Sequence, residues 1–565
     1  MKRNCLYLMI AVVSSMVIVS CNGLKKMDKL KEELGADATP EPLEVHGDSI
    51  DLKITGKFPE KYFAKKVYAE ATPVLVYEGG ETAFKMKSYQ GEKAVGNGDV
   101  IPFKTGKAFN YASTIAYKPA MDNSTLQLRI HGKQGSKEAD FEPMAIGTGV
   151  ITTPYLMKSD DKIIGTDHKC VPFISKKQDA IINFDYNSSA VKPAELKQSD
   201  IADLGKFIDS CARNPKLVIT SIVIESYASP EGELMLNDGL AQERAEAGKK
   251  ILADLIKKMK LTNVAIENVT LTPKGEDWDG FSAAMTSSNI EDRNIILNVL
   301  QMTKDFQQRE KEIKNISKTY TEIQKVIFPS LRRATIRVNY NEMGLTDQEL
   351  LAMSASNPSS LKYEELMKAG TLVEGLDQKI AIYTAATAKS DADYRSHTNL
   401  GNAYYMQNKM ADAEAAWTKA YANKKTAETS NNMGVATRIK GDRKAALTYL
   451  NEAGSQPETQ YNKGLIDIQN GNYSAAISKF GSYKTFNSAL AKVLNKDNGG
   501  ATSDLDASKD TSGLADYLRA IIAARSNESS AVVNNLKSAV QKDSALGSKA
   551  KKDMEFRNFK DAMNF

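Results

Sequence analysis

The sequence predicts a multidomain α+β protein: a β-sandwich-like N-terminal region, a central βαβαβ unit with a helical insertion, and a C-terminal α-solenoid. Three observations carry this reading. Between Gly47 and Thr153 apolar residues alternate with a period of two. From Ile181 to Tyr340, short apolar runs alternate with longer helical patterns. Beyond Leu366 a glycine, an alanine and a large apolar residue recur at fixed offsets. At 565 residues the chain has room for roughly three or four domains.

Composition narrows the function classes. A charged fraction of 26% and a formal net charge of +5 describe an ordinary soluble surface. Basic and acidic residues are mixed throughout, and no Lys/Arg cluster is interleaved with aromatics, so nucleic acid is not an expected partner. Four histidines and four cysteines are few for a dedicated transition-metal site. Neither a metal nor a cofactor is expected.

The N-terminus reads as an address. Lys2 and Arg3 form a positive region, and Leu6 to Val19 an apolar run too short to span a bilayer comfortably. The run ends in Ile18-Val19-Ser20-Cys21, which resembles the bacterial lipoprotein lipobox. That resemblance implies a signal peptide over residues 1–20, cleavage before Cys21, and lipidation of its thiol. Several acyl chains, at about 0.8 kcal/mol per buried methylene, hold a protein durably to a bilayer. Maturation then leaves Cys170 and Cys211, which in an oxidising compartment are candidates for a disulfide. Residues 21–46 read as a lipid-anchored tether, charged from Lys25 to Glu33 and broken from Gly35 to Pro42.

Residues 47–155 read as one β-sandwich-like domain or two small β-modules. Ile50, Leu52 and Ile54 alternate with polar residues, as do Leu126, Leu128 and Ile130, and Glu78-Gly79-Gly80-Glu81 marks a turn. His46, His131 and His168 are scattered and form no set with a nucleophile or paired carboxylates.

The central unit, residues 170–340, is organised around an apolar strand over 217–224, a turn on Pro230 and Gly232, and a helix from Asn237, its expected N-cap, to Lys260. Strand-loop-helix places the loop and first helical turns on one rim, where ligands commonly sit. Gly232, Asn237, Leu240, Arg244 and Ala245 fall in register with the pattern of the OmpA-like peptidoglycan-binding domain, which the string resembles. Strands are expected over 181–187, 264–271 and 333–338. Arg332 and Arg333 resemble the arginines of the family's last strand, with Leu331 at the family's asparagine. The resemblance implies a clamp on the zwitterionic end of a cell-wall peptide, a carboxylate for the ammonium and the guanidinium of Arg244 for the carboxylate. Ser229 stands where the family carries aspartate, and Glu231 or Glu233 would have to supply the missing charge. The candidate ligand residues are Ser229, Asn237, Arg244 and Arg332. Residues 281–328 form a helical insertion unusual for that family, and Asp277-Trp278-Asp279 reads as a turn, since the ligand spacing of a calcium loop is missing.

Residues 341–366 read as a linker, broken at Asn357-Pro358-Ser359-Ser360, and 367–565 as helical repeats. Gly401, Gly434 and Gly464 are each followed at plus twelve by Ala413, Ala446 and Ala476, and at plus sixteen by Trp417, Leu450 and Phe480. This resembles the tetratricopeptide repeat, whose glycine lets the first helix of a pair pack closely on the second. Two further pairs, over 487–507 and 517–540, and a charged cap from Lys542 extend the stack. Asn402, Tyr405, Asn432 and Arg438 lie on first helices that could line a groove. Each is also an ordinary helix-surface residue type.

Three functions are expected from these parts, in this order. The first is a non-enzymatic, lipid-anchored scaffold of a Gram-negative outer membrane, its OmpA-like unit touching peptidoglycan or repurposed, its repeats docking envelope proteins. The second is a structural peptidoglycan anchor with the repeats only oligomerising. The third is a glycan- or peptide-processing enzyme using the β region. The periplasmic face of the membrane is favoured over the cell surface.

Overall fold

The computed structural model describes residues 22–259 and 268–563. The signal segment and Cys21 lie outside the described residues. The chain divides into two compact units: residues 1–166 with 391–565, and residues 167–390.

In the first unit the period-two alternation becomes a two-sheet sandwich. One sheet orders Asp37–Thr39, Ser49–Phe58, Leu43–His46 and Val150–Ile151, with Lys107–Ala116 also pairing on Ser49–Phe58. The other runs Lys137–Asp140, Ser124–Gln134, Tyr68–Tyr77, Lys87–Gly91 and Asp99–Ile101, with two further strands attached. Ile50, Leu52 and Ile54 from one sheet share a core with Leu126, Leu128 and Ile130 from the other, as alternation requires. The expected tether is corrected. Residues 22–29 form a helix whose Leu24 and Met27 are buried in this core, and residues 37–46 supply two of its strands. The Leu and Met at helical spacing within a charged run were a packing face, worth about 1.5–3 kcal/mol per buried side chain, rather than a spacer.

The repeats complete this unit as five antiparallel helix pairs. Their first helices are Tyr394–Met406, Ala427–Ile439, Pro457–Gln469, Phe486–Leu494 and Gly513–Arg525. Their second helices are Met410–Asn423, Arg443–Glu452, Tyr473–Phe480, Asn498–Ser508 and Ser529–Lys542. A helix over Ala545–Lys552 and a 3-10 turn over Met554–Ala562 close the stack. The glycine triplets explain the pairing. A Cβ on Gly401 would stand 2.4 Å from Trp417 Cδ1, on Gly434 2.6 Å from Leu450 Cγ, and on Gly464 2.8 Å from Phe480 Cε1. Each glycine is therefore the floor on which its partner helix lays a large apolar side chain, and Trp417, Leu450 and Phe480 are fully buried. Asp48 pairs with Arg443 at 2.7 Å, and Thr153 Oγ1 donates to buried Glu555 at 2.6 Å, so the sandwich and the repeats are joined by polar contacts.

The second unit is a two-layer α/β fold. Its sheet orders Phe173–Asn183, Arg333–Met343, Leu217–Ala228 and Val269–Glu276, the last two parallel and the others antiparallel. Helices Ser199–Arg213 and Leu234–Lys258 cover one face, burying Ile201, Leu204, Ala245 and Leu252 against Ile182, Ile224 and Ile336. Several boundaries differ from expectation, among them the end of the last strand, which continues from 338 to Met343. The first strand begins eight residues early and ends at Asn183, its outer half carrying exposed residues that alternation could not mark. The second strand continues past Ile224 to Ala228. Of the third, expected over 264–271, residues 264–267 lie outside the described residues, and the described strand runs from Val269 to Glu276. The long helix starts at Leu234, so Asn237 stands in its first turn and the cap position belongs to Glu233.

The insertion between the last two strands is five helices, Trp278–Ser287, Arg293–Met302, Phe306–Lys314, Ser317–Val326 and Phe328–Leu331, around their own core of Phe281, Met285, Ile296, Ile323 and Phe328. Asp277 caps the first of them by accepting the Gly280 N–H at 2.9 Å, so the Asp-Trp-Asp string is a helix start. Residues 341–366 are corrected from linker to structure. Thr346 and Glu349 form a capping box for helix Asp347–Ser356, and Leu350 and Leu361 are buried. Helices Tyr363–Leu372 and Leu376–Lys389 follow within this unit.

Candidate functional site: a clamped groove and a closed rim

The first helices of the repeats present asparagines, and these hold an extended stretch of the same chain, residues 158–166. Asn487 accepts the Lys158 N–H at 2.9 Å and donates to its carbonyl at 2.8 Å. Asn462 does the same to Lys162, both at 2.8 Å. Asn432 does so to Ile164, both at 2.9 Å, and Asn399 to Thr166, at 2.9 and 3.3 Å. A carboxamide matches the N–H and C=O of one residue in an extended chain, donor to acceptor and acceptor to donor. Four repeats therefore grip the main chain of four residues, with the segment antiparallel to the array, and the Thr166 hydroxyl also donates to Asn399 at 3.2 Å.

A second row of amides braces the first. Asn402 donates to the Ile164 carbonyl at 3.0 Å and accepts from Trp417 Nε1 and Asn432 Nδ2. Asn431 donates to the Lys162 carbonyl at 2.9 Å and accepts from Thr459 and Asn462. Asn432, fully buried, thus has two donors and two acceptors around one amide. Replacing it with aspartate puts a buried carboxylate against two carbonyl oxygens, and a loss of about 2–3 kcal/mol is expected, read from urea unfolding of the repeats.

Side chains add selectivity. The Asp161 carboxylate forms a two-pronged ion pair with Arg438, and both side chains are buried, 0% and 2% exposed. Burying both charges is tolerable because each satisfies the other in fork geometry. The Asp161 charge and burial push the Tyr405 phenol up to about 12, burial being the larger cause. Lys158 reaches Asp510 at 2.5 Å and Ser512 at 2.8 Å, and lies 4.6 Å from the Phe486 ring. Lys162 sits 4.6 Å over the Tyr461 ring, whose hydroxyl donates to Asp160 at 2.6 Å.

Asn402, Tyr405, Asn432 and Arg438 therefore do line a groove, as their helix positions predict. The groove is filled by the chain itself. Asn399, Asn431, Asn462 and Asn487 were missed. For three of them the signal was present: Asn399, Asn462 and Asn487 stand two residues before Gly401, Gly464 and Ala489, as Asn432 does before Gly434, whereas Asn431 lies one position off that register.

The second candidate site is the rim of the α/β unit, where Ser229, Asn237, Arg244 and Arg332 do converge. All four are buried, and each is partnered from within. Ser229 Oγ donates to Glu231 Oε1 at 2.6 Å, and Arg332 donates to the same oxygen at 2.6 Å and to Ser229 at 3.1 Å. Of the two neighbouring glutamates, Glu231 is the one in contact with Ser229 and Arg332. Arg244 is 1% exposed and spends its guanidinium on the carbonyls of Ser188, Tyr227 and Asp185. Burial, and then the Arg332 charge, pull it down to about 10. Asn237 donates to the Glu231 carbonyl and to Glu276 at 2.8 Å, and Glu276 also accepts from Trp278 Nε1 at 2.8 Å. Burial raises the Glu276 carboxyl. The insertion covers the loop: Glu310 accepts the Gly232 N–H at 2.7 Å, and Gln324 donates to Glu231 at 3.4 Å. Phe306 stacks on Trp278, with Arg309 4.9 Å from the indole.

The expected disulfide is corrected. Cys170 and Cys211 are both free, half-buried thiols. Cys170 precedes the first strand among the charges of Lys368 and Glu365, whereas Cys211 ends a helix packed on the sheet. Burial raises both thiols, which keeps them protonated and weakly reactive.

No family model and no curated protein match this chain. Several solved structures resemble part of it. One is a tetratricopeptide repeat protein from Parabacteroides merdae ATCC 43184, at 15% identity over 37% of this chain and 91% of that chain, with a TM-score of 0.30. YrrB, described as a TPR protein with an unusual peptide-binding site, matches at 16% identity over 36% of this chain and 99% of its own, with a TM-score of 0.21. PilF of Pseudomonas aeruginosa matches at 14% identity over 38% and 99%, with a TM-score of 0.27. The C-terminal part of this chain is an array of stacked helix pairs with glycine-floored contacts, similar in kind to these repeat proteins.

Proposed function

We propose that this protein is a non-enzymatic scaffold of a Gram-negative outer membrane, anchored through acyl chains on Cys21 and docking protein partners on its repeats. The observation that carries the scaffold reading is the asparagine ladder. It is an array of amides shaped to hold an extended polypeptide by its backbone, which is binding chemistry rather than turnover. The N-terminal charge, apolar run and lipobox-like Ile18-Val19-Ser20-Cys21 support the anchor. No helix among the described residues is long and apolar enough to cross a membrane.

The OmpA-like reading of the central unit is supported by the register of Gly232, Asn237 and Arg244 and by the βαβαβ order. Within it, the rim is a repurposed version. Glu231 and Arg332 neutralise each other, and inserted helices lie over the loop. Purified chain lacking the lipid is expected not to co-sediment with peptidoglycan sacculi. Co-sedimentation abolished by Arg332→Ala would restore the wall-anchor reading instead.

The scaffold reading is tested by fractionation and cross-linking. Cys21→Ser is expected to move the protein from the outer-membrane fraction to the soluble one. Cross-linking of the lipidated chain is expected to return a stoichiometric membrane complex. A Cys21→Ser chain that stays in the membrane, or a lipidated chain recovered alone, contradicts it.

A further inference from the structure

The way residues 158–166 are held identifies the kind of segment the repeats accept. The ladder pairs with the main chain of Lys158, Lys162, Ile164 and Thr166, a grip that reads extension and direction, and adds side-chain contacts only from Asn399 to the Thr166 hydroxyl and from Asn487 to Asp160. Selectivity is concentrated at one buried point, the Asp161 carboxylate on Arg438, flanked by lysine sites on the Tyr461 and Phe486 rings. The bound segment joins no sheet, and Ser159 and Gly165 are exposed. Of its residues only Asp161 is fully buried. A hold made of amide pairs, the buried Asp161–Arg438 pair, the part-exposed Lys158–Asp510 pair and the Ile163 side chain on the repeat core can be exchanged for the same chemistry supplied by another chain.

We propose that residues 158–166 are a cis-bound stand-in for an extended segment of a protein partner, which enters the same groove antiparallel to the repeats with an acidic residue on Arg438 and a lysine beside it. This rests on the reading of the repeats as a docking module. The chain's own segment competes at an effective concentration of about millimolar, as short tethers give. The affinity seen by an outside segment is the intrinsic one reduced by the small fraction of open groove. The groove is therefore self-guarded: an outside segment must match the buried acidic contact as well as the backbone, and a merely extended polypeptide does not displace the strap.

The test uses the full chain with residues 158–166 replaced, residue for residue, by Gly and Ser. The probe is a fluorescein-labelled synthetic peptide with the sequence of residues 156–168. Saturable binding is expected to the replaced chain, and at least about tenfold weaker binding to the intact chain. A probe with alanine at the position of Asp161 is expected to bind the replaced chain at least about thirtyfold more weakly, since a buried charge pair is broken. Equal binding of the two probes, equal binding to replaced and intact chains, or no binding to a replaced chain with intact helical circular dichroism overturns the proposal. If the replaced chain does not fold, Lys158→Ala/Lys162→Ala serves, because it loosens the segment without exposing Arg438. It must then bind the probe more tightly than the intact chain does, and unchanged binding overturns the proposal. A stable dimer of the intact chain by light scattering would assign the groove to a second copy's segment and also overturn it. Failure of the docking reading looks different: the probe binds as expected, yet the lipidated chain yields no complex in the membrane.

Discussion

Asp161→Ala is expected to destabilise the first unit by about 3–5 kcal/mol, the usual cost of stripping one partner from a buried ion pair. Arg438 is 3% exposed, and without Asp161 its guanidinium keeps only a 3.4 Å contact to Ser159 Oγ. The unpaired charge then opens the groove to water or leaves the segment. Either way the lowest-melting transition falls, and helical signal from the repeats falls with it. The double replacement Asp161→Leu/Arg438→Met is expected to recover most of the loss, since apolar residues of similar volume replace buried ion pairs at little cost. A double variant as unstable as Asp161→Ala would show that the pair is not the cause. Chemical denaturation followed by circular dichroism reads both.

Trp417→Ala is the second large effect, again about 3–5 kcal/mol. The indole is fully buried, lies against the face of Gly401 that a Cβ would fill, and packs 5.7 Å from the Tyr405 ring. Its Nε1 also donates to Asn402 at 2.9 Å, so the variant leaves a cavity and takes a donor from the inner amide row. Damage should concentrate at the Thr166 end of the segment, where Asn399 and Asn402 act. Trp417→Phe keeps most of the volume and loses only the hydrogen bond. It should cost about 1–2 kcal/mol, with the difference between the two variants reporting the cavity.

The repeats were legible because their signal is local. A glycine floor, an alanine and a large apolar residue recur within one helix pair, and the packing they imply needs no distant partner. The sandwich was legible for the same reason, since Ile50, Leu52 and Ile54 alternate within a single strand. What escaped was non-local. The segment 158–166 carries no periodicity, since its hydrogen bonds run to residues more than two hundred positions away. The tether and the linker were misread because their apolar residues were few, although Leu24, Met27 and Leu350 are each buried completely. At the rim, Ser229, Asn237, Arg244 and Arg332 were picked out by the resemblance to the OmpA-like pattern, Arg332 from the last strand rather than from the strand-loop-helix. That Glu231 would answer Arg332, and that Glu310 would reach Gly232 from the insertion, required the tertiary fold.

Hydrogen exchange of individual amides in the intact chain tests the clamp most directly. The N–H groups of Lys158, Lys162, Ile164 and Thr166 should exchange far more slowly than those of an unstructured peptide, and each should speed up when the asparagine facing it, Asn487, Asn462, Asn432 or Asn399, is changed to alanine. Free-peptide rates at those four amides, while the repeat helices stay protected, would show that the groove does not hold this segment.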